Sequence, residues 1–132
     1  MYSKKIIKLV NADTTTGANT SGKLYVGNAR KIGVLLRLGS HTSGNTVFTF
    51  KVGMEAEDGS TAPTMTTYNM MIDNVTNTNA QTITRIASKT LNANGDAMLW
   101  VSQETPINYL EVDYNTTTDG AASVFVLLEE VD

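Results

Sequence analysis

The segment Thr46-Val47-Phe48-Thr49-Phe50-Lys51-Val52-Gly53-Met54 decides the fold. Phe48, Phe50, Val52 and Met54 fall on one side of an extended chain, and Val47, Thr49, Lys51 and Gly53 fall on the other. Alternation of period two marks a strand with one buried face and one wet face. Ile107 to Tyr114 repeats it: Asn108, Leu110, Val112 and Tyr114 alternate with the more mixed, outward set Ile107, Tyr109, Glu111 and Asp113. Working outward, further strands are expected over residues 5–10, 23–26, 31–38, 65–72, 82–87, 97–102 and 122–131.

Two segments are apolar on both faces. Gly33-Val34-Leu35-Leu36 reads as a central strand. Ser123-Val124-Phe125-Val126-Leu127-Leu128 reads as a strand held either inside the core or at a subunit interface. Between the strands lies turn chemistry. Asn94-Gly95-Asp96 is the strongest hairpin signal, and Asp58-Gly59, Asp119-Gly120 and Ser43-Gly44-Asn45 are further turns. Pro63 and Pro106 each precede an expected strand, where a missing N–H does least harm. Residues 11–22 carry no apolar period and read as a long loop or mobile arm. Residues 74–92 fit a short helix or a strand, and their Thr content favours the strand.

Eight or nine short strands without a convincing helix predict an all-β chain. The expected architecture is one antiparallel β-sandwich over residues 1–132, jelly-roll-like, with residues 1–22 as an extended N-terminal arm plus loop. An immunoglobulin-like sandwich is the alternative, but its Cys…Trp…Cys pattern is missing. Composition agrees. Thr and Asn supply 32 of 132 residues, which suits wet strand faces and tight turns and does not suit helices. A chain of this length holds a hydrophobic core without staples.

Charge and cysteine content remove several functions. A net charge of −3 with scattered basic residues opposes nucleic-acid binding, which needs a dense basic face. With no cysteine, disulfides and thiolate chemistry are excluded. No secretory signal is visible and no apolar run approaches the roughly 20 residues of a membrane span, so synthesis in a cytoplasm and no membrane partner are expected.

Candidate chemistry is thin. His41 is the single histidine, in a loop beside Ser40 and Ser43, and adjacency in sequence does not make a triad. Glu111 and Asp113 are neighbours on one strand face at about 6.5–7 Å, inside the range of about 5–9.5 Å between glycosidase carboxylates, yet a solvated face explains them better. Glu55, Glu57 and Asp58 offer oxygen ligands for calcium but lack EF-hand spacing. Asn19, Asn74 and Asn115 begin chance matches to a glycosylation acceptor. Trp100, Tyr109 and Tyr114 would form a sugar-stacking platform if exposed together, but Trp100 lies in the apolar run Met98-Leu99-Trp100-Val101 and is expected in the core. No catalytic residue, cofactor or metal is expected.

A short, acidic, cysteine-free, Thr/Asn/Gly-rich sandwich without a catalytic constellation resembles the small accessory proteins of tailed-phage virions, the capsid decoration (cement) proteins. The resemblance spans the whole chain and rests on composition and strand pattern, with no motif to carry over. It implies a non-enzymatic protein on the capsid surface, often trimeric, that clamps neighbouring major capsid subunits. Within that picture Tyr2, Lys4 and Lys5 offer an aromatic anchor beside positive charge, and an arm of residues 1–8 would be removable without loss of the fold. Val124, Val126 and Leu128 would supply a homotrimer interface. The alternatives are a receptor- or carbohydrate-binding module of a fibre or tail, a tail or head-completion protein, and a cupin-type enzyme. The last needs a histidine cluster that this chain lacks.

Overall fold

The computed structural model describes residues 2–27, 29–54, 64–73, 84–101 and 107–131. Twelve strands run through them: β1 Tyr2–Asp13, β2 Gly17–Thr20, β3 Leu24–Tyr25, β4 Ala29–Gly39, β5 Thr46–Gly53, β6 Thr66–Thr67, β7 Met71–Asp73, β8 Arg85–Ile86, β9 Ser88–Leu91, β10 Gly95–Val101, β11 Tyr109–Thr116 and β12 Ala121–Val131. No helix occurs among the described residues. The period-two reading holds through Phe50 and over β11, but Met54, expected on the buried side, is 63 % exposed and Gly53, expected on the other, is buried. Phe48 and Phe50 of β5, and Leu110, Val112 and Tyr114 of β11, are buried, while Thr49, Lys51, Glu111 and Asp113 point outward.

One sheet has the order β1-β12-β4-β10-β7-β8, the other β2-β11-β5-β6, and β3 and β9 extend the second sheet beside β11 and β5. The pairings are antiparallel. The first and last strands lie side by side, and β1, β4, β10 and β11 are each followed along the chain by a strand of the opposite sheet. That interleaving is a jelly roll. The core is the space between the sheets, filled from one side by Val34, Leu36, Leu99, Val124 and Val126 and from the other by Phe48, Phe50, Leu110 and Val112. β4 and β12 hold central positions in their sheet, each paired on both edges.

The strand count exceeds the eight or nine expected, for a physical reason. Two-residue β3 falls in the strand expected over 23–26, and the unexpected four-residue β2 and β9 are edge pieces held by backbone pairing to β11 and β5. They need no apolar face, so polar stretches such as Gly17-Ala18-Asn19-Thr20 gave no period-two signal. The strand expected over 65–72 is broken: β6 joins one sheet and β7 the other. The strand expected over 82–87 is described only from residue 84, as β8. The turn at Asn94-Gly95-Asp96 is not a hairpin between paired neighbours, because β9 pairs β5 while β10 pairs β4 and β7. Gly95, with φ of +151°, takes a conformation that a β-carbon would strain.

Residues 2–13 are not a free arm. They pair with β12 from Tyr2↔Val131 to Asp13↔Ala122 and carry Val10 into the core. The register slips between Lys8 and Asp13, and Ala12, at φ of +48°, gives its N–H to Ser123 Oγ at 2.9 Å. This bend lets the chain leave the first sheet and enter β2 of the second. Asp13 holds the crossing: its carboxylate accepts from Thr15 N–H at 3.0 Å and from the buried Tyr114 hydroxyl of β11.

Candidate functional site

The outer face of the β1-β12-β4-β10-β7-β8 sheet follows from strand parity. In β12, Val124, Val126 and Leu128 point into the core, which leaves Phe125, Leu127 and Glu129 outside. Register carries that face across the sheet. Ile6 of β1 lies opposite Leu127, Leu127 opposite Gly33 of β4, Gly33 opposite Trp100 of β10, and Trp100 opposite Ile72 of β7. An unbroken apolar row therefore crosses five strands. Ile6 is 70 % exposed and Trp100 41 % exposed. The indole covers Gly33, where a β-carbon would lie 3.0 Å from Trp100 Cζ3. Around this row lies a shallow groove of about 620 Å³, its floor formed by Ile6, Gly33, Trp100 and Leu127 and its rim by Lys4, Lys31 and Glu129.

Charges frame the groove. At one end Glu129 binds Arg30 at 2.8 Å and Lys31 at 3.9 Å. At the other, Phe125 lies under Lys8 and Arg37, whose charged groups sit 5.8 Å and 5.3 Å from its ring centre. Arg37 in turn grips Asp96 with a two-pronged contact, Nε to Oδ1 at 2.8 Å and Nη2 to Oδ2 at 3.0 Å. The guanidinium's hydrogen bond holds the Asp96 carboxyl below its ordinary range, against a smaller opposing effect of burial.

The residues expected to meet a partner separate cleanly. Lys4 is exposed on the rim of the groove, and Lys5 binds Glu130 at 2.6 Å with its side chain still 57 % exposed. Tyr2 enters only through its backbone pairing to Val131, and its side chain lies outside the described residues. Val124, Val126 and Leu128 are buried within this one chain and have no surface left for a second copy. The apolarity that suggested a homotrimer is thus divided between the core and the outward pair Phe125 and Leu127. Sequence reasoning missed Ile6 and Gly33, and it placed Trp100 in the core, whereas Trp100 is 41 % exposed. The signal available was a glycine inside an apolar strand, which marks a close approach of something large to the backbone.

Other candidates take structural roles. Trp100 is not a core residue, and it lies on a different sheet from Tyr109 and Tyr114, so no shared stacking platform forms. Tyr109 packs edge-on against Tyr25, with ring centres 5.3 Å apart, and Tyr114 is buried. His41 closes its own loop: its N–H donates to Asn94 Oδ1 at 2.8 Å and its ring Nε2 donates to the Gly44 carbonyl at 2.8 Å. The neighbouring Thr42 and Ser43 N–H groups donate to Asp119 at 2.9 and 3.2 Å, which ties three loops together at one end of the sandwich.

Glu111 and Asp113 do share an outer face, beside Lys51, whose ammonium is 2.7 Å from Asp113. Burial, then a hydrogen bond to Asp113 and its charge, pushes Glu111 up. Burial also acts to raise Asp113, but hydrogen bonds from Lys51, Thr20 and Glu111 outweigh it and hold that carboxyl low. The calcium candidates Glu55, Glu57 and Asp58, together with Asn74, Pro63 and Pro106, lie outside the described residues. Among the described residues no three His, Asp or Glu side chains gather as a metal site.

No protein-family model matches the chain, and no curated protein matches it. Among solved structures, a prophage-derived protein of SPBc2, YomS, is similar over 98 % of this chain and 96 % of its own, with 16 % identity and a TM-score of 0.63. A protein of disulfide-linked Bacillus endospore appendages aligns over 98 % of this chain and 84 % of its own, with 14 % identity and a TM-score of 0.42. A chain from the infectious bursal disease virus Gx strain aligns over 97 % of this chain and 32 % of its own, with 11 % identity and a TM-score of 0.44. At these identities the first likeness is one of fold. The jelly roll described above is shared, nearly end to end, with a protein of prophage origin.

Proposed function

We propose that this chain is a non-enzymatic structural protein of a tailed-phage virion, and within that class a capsid decoration protein that bridges major capsid subunits on the head surface. The observation that carries the reading is the outward apolar row Ile6–Leu127–Gly33–Trp100–Ile72, exposed at Ile6 and Trp100, on an otherwise well-packed jelly roll. An open apolar surface of this kind on a folded domain marks an interaction site. The fold it sits on matches a prophage-derived protein over nearly the full length of both chains. A cement protein adds contact area across the joints of a shell without chemistry, and a preformed, flat sheet face suits that work. Ties such as Thr42 and Ser43 to Asp119, and His41 to Asn94, stiffen the frame that presents it.

The test is direct. Shells assembled from the major capsid protein encoded in the same genome are mixed with the purified chain, sedimented and imaged. Saturable binding at regular positions on the lattice is expected. Failure to bind such shells, combined with recovery of the chain in tails, would replace decoration with a tail role. Absence from purified virions would remove the virion reading itself.

A further inference from the structure

The charge on this protein is distributed against its sum. The chain carries a formal charge of −3. On the outer face of the β1-β12-β4-β10-β7-β8 sheet, however, the four exposed cations Lys4, Lys8, Lys31 and Arg37 outnumber the two carboxylates Glu129 and Asp96. A cationic frame therefore surrounds the apolar row, on a molecule that is acidic elsewhere. We infer that the groove floored by Ile6, Gly33, Trp100 and Leu127 docks an acidic protein segment that also presents large apolar side chains. The inference rests on the virion reading for where the partner is found, and it adds the face and the partner's chemistry.

Three features select this occupant. The floor is aliphatic except for one indole, and that indole packs against Gly33. Aliphatic side chains do not stack on bases, so a single-stranded nucleic acid would leave Ile6 and Leu127 without matching contacts. The apolar row lies in a groove rimmed by Lys4, Lys31 and Glu129, whereas insertion into a bilayer needs a broad apolar face. A second copy meeting the same face across a two-fold axis would set this cationic frame against itself, and like-charge juxtaposition opposes association. A partner with carboxylates opposite Lys4, Lys8 and Lys31 and an apolar side chain beside Ile6 satisfies both the frame and the floor. Its association would be steered by charge and weakened by salt.

The experiment compares three variants of the full chain: Ile6→Glu, Lys4→Glu and, on the outer face of the other sheet, Asn115→Glu. Ile6, Lys4 and Asn115 are exposed, so all three should fold, which circular dichroism and thermal unfolding check. Binding is measured on shells of the major capsid protein from the same genome, on phosphatidylglycerol vesicles and on a thymidine oligonucleotide, at low and high salt. Ile6→Glu and Lys4→Glu should each weaken shell binding by about tenfold or more, with Asn115→Glu within about twofold of the parent. Shell binding by the parent should fall as salt rises. Unchanged binding by both groove variants would overturn the inference and leave decoration intact. Tighter binding to vesicles or oligonucleotide than to shells would overturn the acidic protein partner.

Lysine acetylation of intact virions supplies a second reading that does not depend on which virion protein is the partner. Lys4 and Lys31 should be protected relative to the free chain, and Lys23 should not. Free reaction of Lys4 and Lys31 in particles that contain the chain would overturn the inference. Particles without the chain would sink the virion reading first, and the inference with it.

Discussion

Lys89 of β9 places its ammonium 2.6 Å from Oδ2 of Asp73 in β7, and the aspartate is completely buried. The two residues belong to opposite sheets, so this ion pair spans the sandwich. A buried carboxylate that loses its counter-charge is costly, because desolvation is no longer offset. Lys89→Ala should lower stability by about 3 kcal/mol in urea unfolding. Replacing both partners with apolar residues, Asp73→Leu with Lys89→Met, should recover most of that loss. A double variant as unstable as Lys89→Ala would show that the pair does more than neutralise itself.

Leu99 and Trp100 are adjacent in β10 and point to opposite sides. Leu99 is fully buried between the sheets, whereas Trp100 lies on the outer face over Gly33. Leu99→Ala opens a cavity in the core and should cost about 3 kcal/mol. Trp100→Ala removes only half-buried surface and should cost about 1 kcal/mol. Gly33→Ala should push the indole off the sheet, read as a red shift of the fluorescence of this single tryptophan. Equal losses at 99 and 100 would place Trp100 in the core after all.

Much of this fold was legible because strands write their faces into sequence. Phe48, Phe50, Leu110 and Val112 sit where alternation put them. β2 and β9 were not legible, since polar edge strands are held by backbone pairing alone. Residues 2–13 were half legible. The strand was expected, but its partner β12 lies more than a hundred residues away, and pairing over such a separation leaves no local trace. The site suffered from an ambiguity of the same kind. A strand apolar on both faces announces that both are covered or used, without saying by what. In β12 the structure assigns Val124, Val126 and Leu128 to the core and leaves Phe125 and Leu127 outside.

Stability should pass through a maximum in mildly acid solution. Asp13, held low first by the Tyr114 hydroxyl, and Asp96, held low first by Arg37, both titrate below their ordinary value of 3.8 in the folded chain. Their contribution is complete above pH 3.8 and is lost as pH falls through their folded values. Glu111 has the opposite sign. Burial raises it above its ordinary 4.5, so its charge opposes folding at neutral pH, and that opposition fades as pH falls toward 4.5. The melting temperature should therefore rise slightly from pH 7 toward 4.5 and drop below 3.8. Glu111→Gln should raise it at pH 7 and flatten the rise, while Tyr114→Phe should weaken the acid limb. A rise that persists in Glu111→Gln would assign it to another group.

Removing residues 1–8 should damage the fold rather than trim an arm. Lys4 to Lys8 pair residue by residue with Glu129 to Phe125, and Ile7 packs against the core opposite Val126. Without them one edge of β12 would lie open over most of its length, with Leu127 and Phe125 beside unpaired backbone groups. Such an edge is a template for pairing with other chains. Lysines at positions 4, 5 and 8 guard the present edge, and the truncation removes all three. The truncated chain should unfold at a markedly lower temperature and show concentration-dependent aggregation by light scattering. A monomer that melts with the full-length chain would mean that pairing to β1 contributes nothing, and that residues 2–8 act as a detachable arm.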